Sequence, residues 1–306
     1  METASETSSS YNGRPFEFSR AKKIRFVATY VWTKVFSFWY EVKEPRIRLF
    51  TYEVIYSLCR AVRYPPPALA WLRLSRVRTI FGVFNIRPGT TEAAYVSPGF
   101  ERLDVDHLLN LLGQRLSAGR SVLFLDVGAD VGTYAVSVGN RLRNLGKISV
   151  LAFEPSLPSF ELLSRNIADN DLTEIVQLRA LGLGDGSVTS AALYFNPLEP
   201  GGRSLHASGE WQRTESENVE LSTVDDQVDL AALADVVVFK LDVEGSEIAV
   251  LDGAAATLAA ASEALLLVED FIDGKIITYL EETGWSFQGK FTPYNSFWRY
   301  AGAAAH

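Results

Sequence analysis

The seven residues from Asp126 to Gly132 (Asp-Val-Gly-Ala-Asp-Val-Gly) constrain this chain most, because an apolar run ends there on an acid and two glycines follow, four residues apart. Ser121-Val-Leu-Phe-Leu before them has the pattern of a strand buried on both faces of a parallel sheet. Past them, Val131, Ala135, Val138 and Leu142 recur at helical spacing. The glycines therefore sit in a strand-to-helix turn. Gly128 and Gly132 allow a ligand close to the backbone, and the helix start offers free N–H groups. A dinucleotide fingerprint requires Gly-x-Gly-x-x-Gly and a phosphate loop ends in Gly-Lys-Ser/Thr, and neither stands here.

An acidic turn suits a ligand carrying an ammonium group, and S-adenosylmethionine meets that description. The competing reading is an ordinary strand–helix turn whose glycines serve packing alone. Four further strands follow, alternating with helical patterns: 148–153, 175–180, 236–241 and 264–268. This alternation predicts an α/β fold, a doubly wound Rossmann-like sheet with helices on both faces. Trp285 to Tyr300, aromatic with turn residues inside it, predicts a terminal antiparallel hairpin. Strand after strand ends on a carboxylate at one edge: Asp126, Glu154, Asp242 and Glu269. Glu154 is placed to accept both hydroxyls of a ribose, or is a solvated strand-end acid. Asp130 belongs to the glycine turn itself. Asp185, in an acidic turn after the third strand, is a candidate for an adenine amino group. Lys240, Asp242 and Glu244 alternate where the fourth strand leaves the sheet beside the glycine turn. The polar stretch from Pro197 to Trp211, with His206 in it, reads as a lid or as a surface linker.

The chain has 306 residues, 47% of them hydrophobic, enough for a sizeable core. Cys59 is the single cysteine and there are three histidines, so no internal disulfide can form, a Cys/His zinc site is not expected and no residue is singled out as a metal ligand, and a reducing, cytoplasmic compartment is the natural home. Met1 to Ser10 lacks a signal-peptide pattern. Residues 1–100 hold 15 Lys and Arg against 7 Asp and Glu, a balance of +8, which leaves −16 on the remainder of a chain of net charge −8. An acidic body argues against nucleic acid as a partner. We expect a tail over 1–19, a basic aromatic helical extension over 20–77 and one domain over 78–306. Within the extension, a helix from Arg20 to Tyr40 suits a membrane interface, with packing against its own domain or a second subunit of a homo-oligomer as the alternatives. A second helix from Arg46 to Val62 presents the stripe Ile47, Phe50, Val54, Leu58 and Val62, and Pro65 to Pro67 end it. Arg78 to Ile86 reads as one strand, and Asp104 to Leu116 as a helix.

Three blocks together carry a family resemblance. They are Phe124-Leu-Asp-Val-Gly-Ala-Asp-Val-Gly-Thr-Tyr, then Ala152-Phe-Glu-Pro-Ser with Phe160-Glu-Leu-Leu and Asn166, and finally Leu221-Ser-Thr-Val-Asp-Asp with Lys240-Leu-Asp-Val-Glu-Gly-Ser-Glu. In this order the chain from about Ile86 to Tyr300 resembles the FkbM-type S-adenosylmethionine-dependent methyltransferases. Asp130 departs from the usual Asn of the family's turn, and Glu92 stands where Asp is common. The resemblance implies methyl transfer to oxygen, typically to a sugar hydroxyl of a glycan, glycolipid or glycosylated natural product. Such a displacement needs alignment and a base for the hydroxyl. Asp242 and His206 are the candidate bases, while Lys240 orients the acceptor or pairs with a carboxylate. A catalytically silent methyltransferase-like scaffold, acting through its basic helices, is the alternative.

Overall fold

Continuous apolar runs became strands and amphipathic runs became helices over most of the chain. The computed structural model describes residues 38–61, 72–197, 199–207, 213–270 and 274–300, with residues 21, 24, 27, 28 and 32. The expected tail over 1–19, most of the helix expected over 20–40, and Pro65 to Pro67 lie outside the described residues.

The central sheet has seven strands: β4 (Val122–Val127), β5 (Ile148–Phe153), β6 (Val176–Arg179), β11 (Val236–Leu241), β12 (Glu263–Glu269), β13 (Trp285–Gly289) and β14 (Asn295–Tyr300). Their spatial order is β6-β5-β4-β11-β12-β14-β13. The first five are parallel, and β14 runs antiparallel between β12 and β13 as the expected terminal hairpin. All six residues of β4, and all six of β11, are buried. Val122 and Phe124 face one apolar cluster while Leu123, Leu125 and Val127 face another, so helices cover both faces. Helix α5 (Thr133–Leu142) and α6 (Leu157–Asp169) pack on the first face; α8 (Glu247–Asp252) and α10 (Lys275–Glu282) pack on the second. Chain order reverses between β4 and β11, and a crevice opens outside the carboxyl ends of strands at such a point.

A smaller sheet, in the order β7-β10-β8-β9, was only partly legible beforehand. β8 (Ser190–Asn196) leads into the stretch expected as a polar loop, which contains β9 (Glu199–Ser204), paired antiparallel with β8. β10 (Glu215–Ser222) buries Val219 among mostly polar neighbours, so its apolar signal is weak. β7 is the short Gly182–Leu183, parallel to β10.

The amino-terminal extension is built into the body. Elements α1 (Phe38–Glu41), β1 (Val42–Glu44) and α2 (Arg46–Ala61) precede β2 (Arg76–Thr79) and β3 (Val83–Asn85). The single strand expected at Arg78 to Ile86 is thus split by a turn in which Thr79 N–H donates to Gly82 O at 2.8 Å. β1 pairs with β2 and β2 with β3, so one sheet runs across the boundary expected near Arg78. Phe38, Val42, Leu49 and Tyr52 join the same apolar cluster as Phe84 and Phe124. Arg102, at the start of α4 (Arg102–Ser117), reaches both oxygens of Glu41 at 2.9 and 2.8 Å. The inward face of α2 is Leu49, Tyr52 and Glu53; of the expected stripe, Phe50 packs against the core, while Ile47, 73% exposed, Val54 and Leu58, 63% exposed, face solvent. Tyr52 decides this orientation, since its ring is buried and its hydroxyl donates to Thr90 O at 3.2 Å, which a Leu or Ile at that place would leave unmet. Among the described residues no helix is long and apolar enough to cross a membrane.

Leu49 is fully buried, so Leu49→Ala is expected to cost about 2–5 kcal/mol. Thermal unfolding followed by circular dichroism should show one transition at lowered temperature. A main transition left in place, with a separate early one, would make the extension an independent unit.

Candidate functional site

A cavity of about 620 Å³ opens at the carboxyl edge of the central sheet, over the β4–β11 switch point, a volume within the range of small-molecule sites. On one side it is lined by Gly128, Asp130 and Glu154, and on the other by Lys240, Asp242 and Glu269.

The glycine turn is shaped by contact with the neighbouring strand end. Gly128 has φ +78°, and a Cβ there would lie 2.0 Å from the carbonyl oxygen of Asp242. Gly132 has φ +87°, and its Cβ would meet Leu163 at 2.6 Å. Asp126 is buried and accepts a hydrogen bond from Ala135 N–H at 2.8 Å, which satisfies one of the free donors in the first turn of α5. Burial pushes its carboxyl up to about 6, with the Lys240 ammonium pulling the other way. Asp130 holds a left-handed backbone at φ +44° and accepts from Ser159 Oγ at 2.8 Å. Asn166, quoted above for the resemblance, donates to Val131 O at 2.8 Å and accepts from Asn85 N–H at 2.6 Å, tying the turn to β3. Glu92 is buried and ion-paired to Arg87, whose Nη2 also donates to Ser159.

Glu154 lies where the second strand places it. Its Oε2 accepts from Asp130 N–H and its Oε1 from Ser156 N–H, both at 2.9 Å. A carboxylate offers about four acceptor positions, so two remain for a ligand's hydroxyls. Burial, and after it the charge of Asp130, raise its carboxyl to about 7 against the pull of Arg203.

Across the cavity, Lys240 is buried at the end of β11, opposite Asp126 in register. Its Nζ donates to Asp242 Oδ2 at 2.8 Å and stands 5.0 Å from the centre of the Tyr134 ring. Burial disfavours its charge, but Asp242 and Glu101 outweigh this and raise its pKa. Lys240 is therefore a permanent cation, and of its two expected roles the structure shows the pairing one. Asp242 keeps about a third of its side chain exposed, into the cavity. Glu244, at φ +50°, pairs with Arg213 at 3.4 Å. Carboxylate oxygens of Asp242, Glu244 and Glu269 lie within 4.8 Å of one another. Burial, then the charges of Asp242 and Glu244, raise the Glu269 carboxyl well above its ordinary value.

Two expected residues are placed elsewhere. Asp185 is exposed, accepts from Ser187 N–H at 2.9 Å in a local turn, and does not line the cavity; Leu181, Gly182 and Leu183 form that wall. A short polar side chain in a Gly-rich turn satisfies its own backbone before it reaches across a cleft. His206 is exposed on the rim, with Nε2 3.4 Å from Gly245 O, while its neighbours Arg203 and Leu205 line the cavity.

Several lining residues had no signal in the sequence. Glu101 has a left-handed backbone at φ +40° and accepts from Tyr134 Oη at 2.5 Å. Burial raises its carboxyl, Lys240 opposes and Asp242 adds to the rise. Tyr95, Phe100 and Tyr294 bring aromatic rings, and Glu53, Tyr56 and Ser57 come from α2. No periodicity marks such residues, because they come from loops, from a single helical turn at Glu92–Tyr95 and from a helix distant in the chain.

The raised carboxyl of Glu154 has a measurable sign. The unfolded chain releases that proton near 4.5 and the folded protein near 7, so between these values the folded state binds more protons and loses stability as pH rises. In the ligand-free protein, the melting temperature of Glu154→Gln should fall less than that of wild type between about pH 5 and 7. Parallel slopes would show that Glu154 ionises normally in the fold.

A model of the methyltransferase FkbM domain matches residues 126–287. A curated relative, Methyltransferase sdnD of Sordaria araneosa, is 29% identical over 157 residues, covering 42% of this chain and 59% of that protein. Among solved structures, methyltransferase FkbM from Methylobacillus flagellatus aligns with TM-score 0.41 at 16% identity, covering 59% of this chain and 44% of that one. The Pyrococcus abyssi tRNA (uracil-54, C5)-methyltransferase in complex with S-adenosyl-L-homocysteine aligns with TM-score 0.40 at 10% identity, covering 74% and 44%. The family match takes in the glycine turn, Glu154 and the Lys240–Glu244 strand end, and with more than half of the chain inside it this protein belongs to the FkbM-domain methyltransferases.

Proposed function

We propose that the protein transfers a methyl group from S-adenosylmethionine to a hydroxyl oxygen, with a sugar hydroxyl of a glycan, glycolipid or glycosylated natural product as acceptor. One observation carries this reading: a single cavity holds the glycine turn and Glu154 at one side and Asp242 beside an aromatic wall at the other.

The residues fit the cofactor. Gly128 leaves the turn bare of side chain where a Cβ would strike Asp242, and Glu154 keeps two acceptor positions for ribose hydroxyls. When bound, S-adenosylmethionine supplies a methyl group on a positively charged sulfur. Eight carboxyl-bearing residues line the cavity against Lys240 and Arg203, a balance that favours a cationic donor and disfavours an anionic acceptor. Asp242 takes the acceptor's proton, and Lys240, held at 2.8 Å, fixes the orientation of that carboxylate. Tyr56, Tyr95, Phe100 and Tyr294 offer ring faces to a sugar or its apolar aglycone.

With labelled methyl donor and fractionated cell glycans, label is expected in O-methyl sugars after acid hydrolysis; label in protein or nucleic acid alone would refute the acceptor class. Glu154→Ala is expected to weaken calorimetric binding of S-adenosylmethionine by about 2–4 kcal/mol, thirtyfold or more, and unchanged affinity would free Glu154 of the ribose role. Asp242→Asn keeps the side chain's shape and should lower turnover by about 10²-fold or more. Near-normal turnover in that variant would make Asp242 a structural partner of Lys240.

A further inference from the structure

We infer that the outward face of α2, together with α1 and β1 before it, docks on an anionic lipid bilayer. This helix exposes apolar residues on one side: Ile47, Val54 and Leu58, spaced seven and four apart, all face solvent. Trp39 and Tyr40 are exposed just before it, at 42% and 79%. A helix in a soluble domain normally turns such a stripe inward, and here the inward face is occupied by Leu49, Tyr52 and Glu53.

The charges around the patch select the partner. Lys43, Arg46 and Arg48 are exposed among these apolar residues. They donate to the carbonyls of Tyr40, Val42 and Leu72, and among the described residues none of the three pairs with a carboxylate. Glu44 is the exposed acid between them and Glu41 is bound to Arg102, so the patch carries three positive charges against one negative. The same polarity holds at larger scale, +8 over the first hundred residues and −16 over the rest. An anionic surface attracts the patch and repels the body, which orients the molecule. Trp and Tyr favour the headgroup level, and Lys and Arg stems reach past apolar neighbours to lipid phosphates. Because Tyr56 and Ser57 of the same helix line the cavity, and on the acceptor reading proposed above, the surface presents the cavity to lipid-linked acceptors.

The test is co-sedimentation of the full chain with vesicles of phosphatidylcholine alone and of phosphatidylcholine with phosphatidylserine, across salt concentration. Wild type should pellet with the anionic vesicles at low salt and be released as salt rises. Combined Lys43→Gln, Arg46→Gln and Arg48→Gln should weaken that binding roughly a hundredfold, three cations at about 1 kcal/mol each and 1.4 kcal/mol per decade. Ile47→Ser with Leu58→Ser should lower it as well; all five side chains are exposed, so both variants keep the fold. Wild type left in the supernatant with both vesicles, or pelleting equal to that of the charge variant, overturns the inference. So does a wild-type dimer in analytical ultracentrifugation that the Ser variant dissociates without any lipid binding, since the patch then joins two copies. No methyl donor is present, so the outcome is independent of the methyl-transfer assay.

Discussion

Lys240 carries a positive charge into the middle of a parallel sheet, and the chemistry at the sheet's edge is arranged around that charge. Removing an ammonium group from water is costly unless it is paired and hydrogen-bonded. Asp242 supplies the pair, Tyr134 a ring face, and Asp126 and Glu101 further negative potential. Without it, the carboxylates gathered at the ends of β4, β11 and β12 would repel one another in a poorly solvated place. Burial first, and then the charge of Asp242, raise the carboxyls of Glu101 and Glu269 against the pull of the Lys240 cation.

The glycine turn depends on the same seam. β4 and β11 run side by side in register, so Asp242 arrives where Gly128 has no side chain, and the backbone of one strand end closes against the turn of the other. The two sides of the cavity are thereby set by one strand pairing. A displacement of β11 would move Lys240, Asp242 and Glu244 together relative to the turn, which is a physical reason for placing the two acids directly beyond a fully buried strand.

The segment matched by the family model begins at Asp126, yet part of the cavity wall lies before it. Glu53, Tyr56 and Ser57 come from α2, and Tyr95, Phe100 and Glu101 from the stretch leading to α4. These residues lie outside the matched segment and complete the wall around it. Sites grafted on a common fold differ in such walls, where substrate choice is made. One helix thus contributes to the cavity with one face and exposes an apolar stripe with another.

Periodicity in the chain by itself determined the parallel strands, the helices over them, the glycine turn and the row of carboxylates at one edge, because burial on two faces demands apolar runs and a left-handed turn in close contact with a neighbouring backbone favours glycine. It determined Glu154 beside the turn for the same reason, since adjacent strands of known direction end side by side. Tertiary structure decided the rest. Asp185 was drawn into its own turn, β9 and β10 formed from stretches with little apolar signal, and α2 buried Tyr52 rather than Ile47, because hydrogen bonds and packing partners far away in sequence outweighed local hydropathy. Glu101 entered the site through a strained backbone and a hydroxyl from α5, and Glu53 through α2, a helix distant in the chain that packs into the same apolar cluster as α5. Such contacts are energies between distant residues, and they exist only once the chain has closed on itself.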